Sequence, residues 1–216
     1  MSFQVMMQQL LGGLSKSMGI FALTLVFALP LGLVVAFGRM SRNRVIRSIA
    51  WIFISILRGT PLMLQLLAVY FGPYYLFNIR IGSAWRFTAI IIAFSVNYSA
   101  YFAEIYRSGI ESMPPGQYEA ARILGYTKSG TFFRIIFPQV VKRILPSVTN
   151  EVITLVKDTS LAFSLAYAEM FTIAKQIAAK ETSFMPFIAA AVFYYVFNAV
   201  VAFIMERFEK ALNYYT

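Results

Sequence analysis

Residues 17–38 read SMGIFALTLVFALPLGLVVAFG, 22 positions without one charged side chain. A helix rises 1.5 Å per residue, so about 20 apolar residues cross the ~30 Å hydrocarbon layer of a bilayer. The stretch follows a lone Lys16 and is longer than the apolar core of a cleaved signal, so it reads as a retained span. Three more charge-free stretches, 59–79, 87–103 and 182–205, hold 21, 17 and 24 residues. A fifth is sought at 144–174. There Glu151, Lys157 and Asp158 interrupt the apolar run and 161–168 resumes it. Its 31 residues exceed one straight crossing, which predicts a tilted or broken helix. The expected fold is all-α: a polytopic membrane protein with five transmembrane helices.

Composition supports that class. The chain is 59% hydrophobic and 13% charged, whereas a soluble domain carries about 25% charged residues. A soluble enzyme, a secreted disulfide domain and a disordered basic tail are excluded. With no cysteine there is no disulfide framework and no thiolate chemistry. With no histidine the commonest metal ligand and general base are absent, and no metal site is expected.

The formal net charge of +10 would suit a nucleic-acid partner, but the bases cluster beside the spans. Arg39, Arg42, Arg44, Arg47 and Arg58 precede the second stretch, six bases lie in 107–143, and Arg207 and Lys210 follow the last. Five spans put these thirteen on one side. Lys16, Arg80, Arg86, Lys175 and Lys180 fall on the other, with Lys157 inside the fifth span. The positive-inside rule makes the basic side cytoplasmic. The expected topology has the amino end outside and the carboxyl end inside, with no nucleic-acid partner.

The 37-residue inner segment 107–143 reads as structured. Pro114, Pro115 and Gly116 stop one helix and start a turn. Positions 117–124 make a short helix, Gly125 suits the position after its end, and 127–130 form a second turn. A further helix starts at 131–137 and is kinked by Pro138.

Here Glu119, Ala120 and Ala121 are followed after three residues by Gly125, and after nine more by Ile135, with Phe137 and Pro138 two places on. This run resembles the EAA loop of permease subunits of bacterial ATP-binding-cassette importers, with Phe137 where leucine is usual. The segments 58–62, 100–107, 116–121 and 157–161 resemble the polar amino acid branch, which includes the histidine, arginine and glutamine permeases. The resemblance covers nearly the whole chain. It implies a type I importer permease fold, a single transmembrane domain over 1–216, and a cytoplasmic coupling loop at about 107–143. Its short helix, with Glu119, Ala120, Ala121 and Gly125, would dock on a nucleotide-binding subunit.

The family further implies two permease subunits (a second copy or a close paralogue), two ATPase subunits, an extracytoplasmic solute-binding protein and an amino acid substrate. It places the chain in the bacterial inner membrane. No phosphate-binding G-x-x-x-x-G-K-[ST] loop occurs, since Lys128 and Ser129 lack the spacing and the preceding strand. ATP and magnesium are expected on the partner subunit, with no cofactor and no catalytic residue in this chain.

Charges inside a bilayer mark pathways or internal pairs. Glu151 and Asp158 are seven residues apart, so they share a helix face. Glu151 is expected to meet substrate, and a carboxylate there favours a cationic amino acid: arginine, lysine or histidine. Glutamine or another polar amino acid is the alternative, and an ion-coupled secondary transporter is a more distant one. Lys157 and Asp158 read as structural ion-pairing residues, as do Glu104 and Arg107, three apart. Asn97, Tyr98 and Tyr101 admit two readings, substrate contact or packing across the bundle. Thr159 and Ser160 are expected to offer a substrate carboxylate free backbone N–H groups where the span breaks.

Overall fold

The computed structural model describes residues 1–212; positions 213–216 of the expected 1–216 domain lie outside the description. The described residues form helices joined by turns, without a strand. Helix α1 (Phe3–Arg39) runs the length of the first apolar stretch and beyond it. Its buried face is built from Gly13, Ser17, Thr24, Ala28, Gly32 and Ala36. Small residues, four apart from Thr24 to Ala36, let backbones approach, as membrane helices require, and the larger Ile20 fills the space between Ser17 and Thr24. At Gly32 a Cβ would stand 2.8 Å from Phe102 Cβ and 3.0 Å from the Ser99 carbonyl. That contact seats α1 on α4 (Ser83–Glu111), the central helix, which also packs against α2, α3 and α7.

Helices α2 (Arg44–Gly59) and α3 (Leu62–Phe77) meet at a 110° bend. Pro61 is the cause. It lacks an N–H and keeps the residue before it out of the helical region, and Thr60 is extended at φ −122°, ψ 146°. This departs from the expected single span at 59–79 with the five arginines of 39–58 outside any helix of the bundle. Arg44, Arg47 and Arg58 sit on a helix, and the apolar stretch supplies only a 16-residue helix.

After α4 come α5 (Pro115–Ile123), α6 (Lys128–Thr131) and a π-helical turn (Phe132–Ile136), leading into α7 (Phe137–Asp158). The π turn directly precedes Pro138, so the kink expected at that proline takes the form of a widened turn. Helix α7 passes without interruption into a 3-10 segment (Thr159–Leu165). The chain then reverses at Ala166, φ 50°, before α8 (Met170–Glu181) and α9 (Met185–Leu212). The break expected near Thr159 and Ser160 thus lies further on, after Leu165. Both residues continue the helical path because each hydroxyl donates to the carbonyl three residues back, at 2.8 Å.

Three described helices, α1, α4 and α9, are long and apolar enough to cross a membrane, and the bent pair α2–α3 makes a fourth candidate. The expected five crossings are not all recovered on that criterion. Helix α7 carries Lys142, Arg143, Glu151, Lys157 and Asp158, too many charges to qualify by composition.

Candidate functional site

Two regions gather the residues singled out from the sequence. The first lies where α4 faces the α2–α3 bend and the end of α7. Tyr98 is almost fully buried, and its hydroxyl donates to Asp158 Oδ2 at 2.7 Å. Tyr101, one turn on, carries the Arg58 guanidinium over its ring at 5.4 Å from the centroid. Such a stack holds a cation beside an apolar wall without neutralising it. Glu151 is half-buried on α7, within electrostatic reach of Arg58, Asp158 and Tyr98. It forms no side-chain hydrogen bond or ion pair among the described residues. A carboxylate and a guanidinium thus stand near one another, neither consumed by the other.

Asn97 is buried, and its amide nitrogen donates to the Leu57 carbonyl at 3.2 Å and to Gln65 Oε1 at 2.9 Å. Its donors are taken up by the helix bend. Thr159 is buried and its N–H donates to the Leu155 carbonyl, so the free N–H expected there is absent. Lys157 is exposed and makes no ion pair; Asp158 takes a tyrosine hydroxyl in its place. The reason is the helix itself, which turns neighbouring side chains about 100° apart. Glu104 does pair with Arg107, which also reaches Glu111.

Arg58 and Gln65 were missed in the sequence reading, where Arg58 counted only as an inner-loop base. The signal available was Pro61: a proline three residues after an arginine in an apolar run marks a helix end, where a long side chain can lie against a neighbouring helix.

The second region is the loop 107–143. Glu119 and Ala120 are exposed on α5, and Ala121 is buried beneath them at 1% exposure. Helix α5 closes as a Schellman motif. The Gly125 N–H donates to the Arg122 carbonyl, the Tyr126 N–H donates to the Ala121 carbonyl, both at 3.0 Å, and Gly125 has φ +77°. The Glu119 carboxylate has no partner among the described residues. Beside it Ile123 is 86% and Leu124 73% exposed. These two were not singled out from the sequence, and they leave adjacent large apolar side chains uncovered at the end of the helix.

The sequence profile of the binding-protein-dependent transport system inner membrane components matches residues 28–214. The chain belongs to this family. The L-cystine transport system permease protein of Bacillus subtilis (strain 168) is 35% identical over 206 residues, covering 94% of this chain and 86% of that protein. A protein of Rickettsia bellii (strain RML369-C), whose name assigns it to glutamine transport, is 38% identical over 192 residues, covering 88% and 86%. The crystal structure of an amino acid ABC transporter with histidines superposes with a TM-score of 0.87 at 33% identity, covering 98% of this chain and 99% of that one. The permease therefore has the type I importer fold and is a transport component of a polar amino acid importer. The ion-coupled reading is set aside.

Proposed function

We propose that the permease carries cationic amino acids (arginine, lysine or histidine) inward, driven by ATP hydrolysis on a separate subunit. The observation that carries this reading is Glu151, a half-buried carboxylate with no hydrogen bond or ion pair of its own beside Asp158, which Tyr98 already satisfies. A carboxylate held in a medium of low dielectric needs a positive partner, and a guanidinium or ammonium on the substrate supplies one. Arg58, over Tyr101, faces the substrate's carboxylate. Tyr98, Tyr101 and Ser160 frame the ligand, while buried Asn97 and Thr159 support that wall from behind.

The whole chain acts as one permease domain, with the amino end outside and the carboxyl end in the cytoplasm. A second copy or a close paralogue completes the pathway, and a solute-binding protein delivers substrate from outside. ATP and magnesium close the nucleotide-binding subunits. Glu119, Ala120, Ala121 and Gly125, with exposed Ile123 and Leu124 beside them, transmit that closure to the spans, which open alternately to each side.

A neutral polar substrate is the second reading, favoured by the relatives named for cystine and glutamine. Stimulation of ATPase activity by a panel of amino acids in the reconstituted complex separates the two. Strong stimulation by arginine, lysine or histidine supports the cationic reading; preference for glutamine or cystine overturns it and leaves the amino acid importer intact.

A further inference from the structure

The α2–α3 bend leaves backbone carbonyls without helical partners, that of half-buried Leu57 and that of exposed Thr60 among them. In a continuing helix the Leu57 carbonyl would take the N–H of residue 61, and residue 61 is proline. Side chains replace what the backbone cannot provide. The Gln65 amide nitrogen reaches back across the bend to the Leu57 carbonyl (2.9 Å), the Thr60 carbonyl (3.1 Å) and Thr60 Oγ1 (2.9 Å). The Thr60 hydroxyl donates to the Ile56 carbonyl at 2.8 Å. Asn97 on α4 adds its bond to Leu57 and holds the Gln65 amide oxygen at 2.9 Å. The bonded residues Leu57 and Thr60 flank Arg58, so the backbone that carries its side chain is fixed from both sides. The guanidinium itself rests on Tyr101, one helical turn beyond Asn97 on the same helix.

We propose that Gln65, braced by Asn97, is the positioning residue for Arg58, holding the guanidinium where it receives the substrate's carboxylate. This rests on the reading of Arg58 given above. It assigns Asn97 to the support of the bend and Gln65 a role in affinity without contact to the ligand. Without the Gln65 amide, Leu57 keeps only the longer bond from Asn97 and the Thr60 carbonyl and hydroxyl lose their donor, so the last turn of α2 loosens and Arg58 loses its fixed place.

The test is equilibrium binding of L-arginine and L-glutamine, each beside its own carboxamide, to the purified permease–ATPase complex without the solute-binding protein. The parent prefers the free acids. In Gln65→Met, which keeps the length and removes the amide, the free acids bind about tenfold more weakly while the carboxamides bind as in the parent. Gln65→Asn, a shorter amide, moves the same way. Unchanged carboxamide binding reports an intact fold. A parent-like preference in Gln65→Met, or an equal loss of acid and carboxamide, overturns the proposal. Arg58→Gln separates the two layers: if it keeps the parent's preference, the reading of Arg58 itself fails. If Arg58→Gln abolishes the preference and Gln65→Met leaves it untouched, only the positioning role falls.

Discussion

Tyr98 on α4 and Asp158 at the end of α7 are joined by a 2.7 Å hydrogen bond across 60 residues of sequence, and the phenol is the only side chain that donates to that carboxylate among the described residues. It ties the central helix to the segment that carries both acids of the site, and it leaves Glu151 as the acid without a bonded partner. Removing the phenol in Tyr98→Phe keeps the buried ring and orphans Asp158. Asp158 is half-buried, so losing its donor costs about 1 kcal/mol, the lower end for an orphaned acceptor. We expect a lower thermal midpoint for the purified complex, while Asp158→Asn, whose amide oxygen still accepts, is milder. An unchanged midpoint in Tyr98→Phe would show that the bond contributes nothing.

Glu151→Gln keeps the shape and removes the charge. Because the carboxylate has no internal bond to lose, assembly and thermal stability should match the parent. Stimulation of hydrolysis by arginine or lysine should need about tenfold more substrate or more. Parent-like arginine transport by this variant would rule out the cationic assignment.

Gly125 occupies the left-handed region at φ +77°, and a Cβ there would meet nothing within 4 Å. The penalty of a substitution is therefore purely conformational, about 1–2 kcal/mol for an L-residue and more for a β-branched one. Gly125→Val should weaken recovery of the ATPase subunit or uncouple hydrolysis from transport, with normal membrane insertion. Glu119→Ala should leave stability alone and weaken the same association. Normal recovery and normal transport in both variants would reduce this loop to a connector.

At Gly32 an added methyl collides with Phe102 Cβ and the Ser99 carbonyl, whereas at Gly12 it meets open space. Gly32→Ala should push α1 off α4 and destabilise by about 1–3 kcal/mol, the range for overpacking a tight contact. Gly12→Ala should be neutral in the same unfolding assay. Equal midpoints for the two would mean that α1 and α4 are not closely packed there.

The chain contains no cysteine, so single cysteines report topology cleanly. A cysteine at Ser2 should react with an impermeant reagent from outside intact cells, and one at Ser129 only after the membrane is opened. The reverse pattern would invert the topology and move the loop 107–143 away from any cytoplasmic ATPase.

Some features of this permease were open to reading without coordinates because they are local. The stretches 17–38, 87–103 and 182–205 announce α1, α4 and α9 by composition alone, since a bilayer excludes charge whatever the tertiary context. Gly125 was legible for the same reason: a short helix that must end in a left-handed residue selects glycine there. The spacing of Glu119, Ala120, Ala121 and Gly125 belongs to one helix and its cap, so it survives as a motif.

What only the tertiary structure decided involves partners far apart in sequence. Periodicity placed Glu151 and Asp158 on one helix face, but could not say that Tyr98 would satisfy the second and leave the first. Nor could it turn Arg58 from a loop base into a cation over Tyr101, because that depends on the 110° bend after it. A break was expected near Thr159 and Ser160 because the 31-residue segment exceeds one straight crossing, yet their hydroxyls bond back into the helix and carry it forward. Charge and backbone conformation are properties of a residue and its neighbours, whereas the partner of a buried polar group is chosen by how the helices pack. Leaving such a group unpaired is so unfavourable in this interior that packing and pairing are settled together.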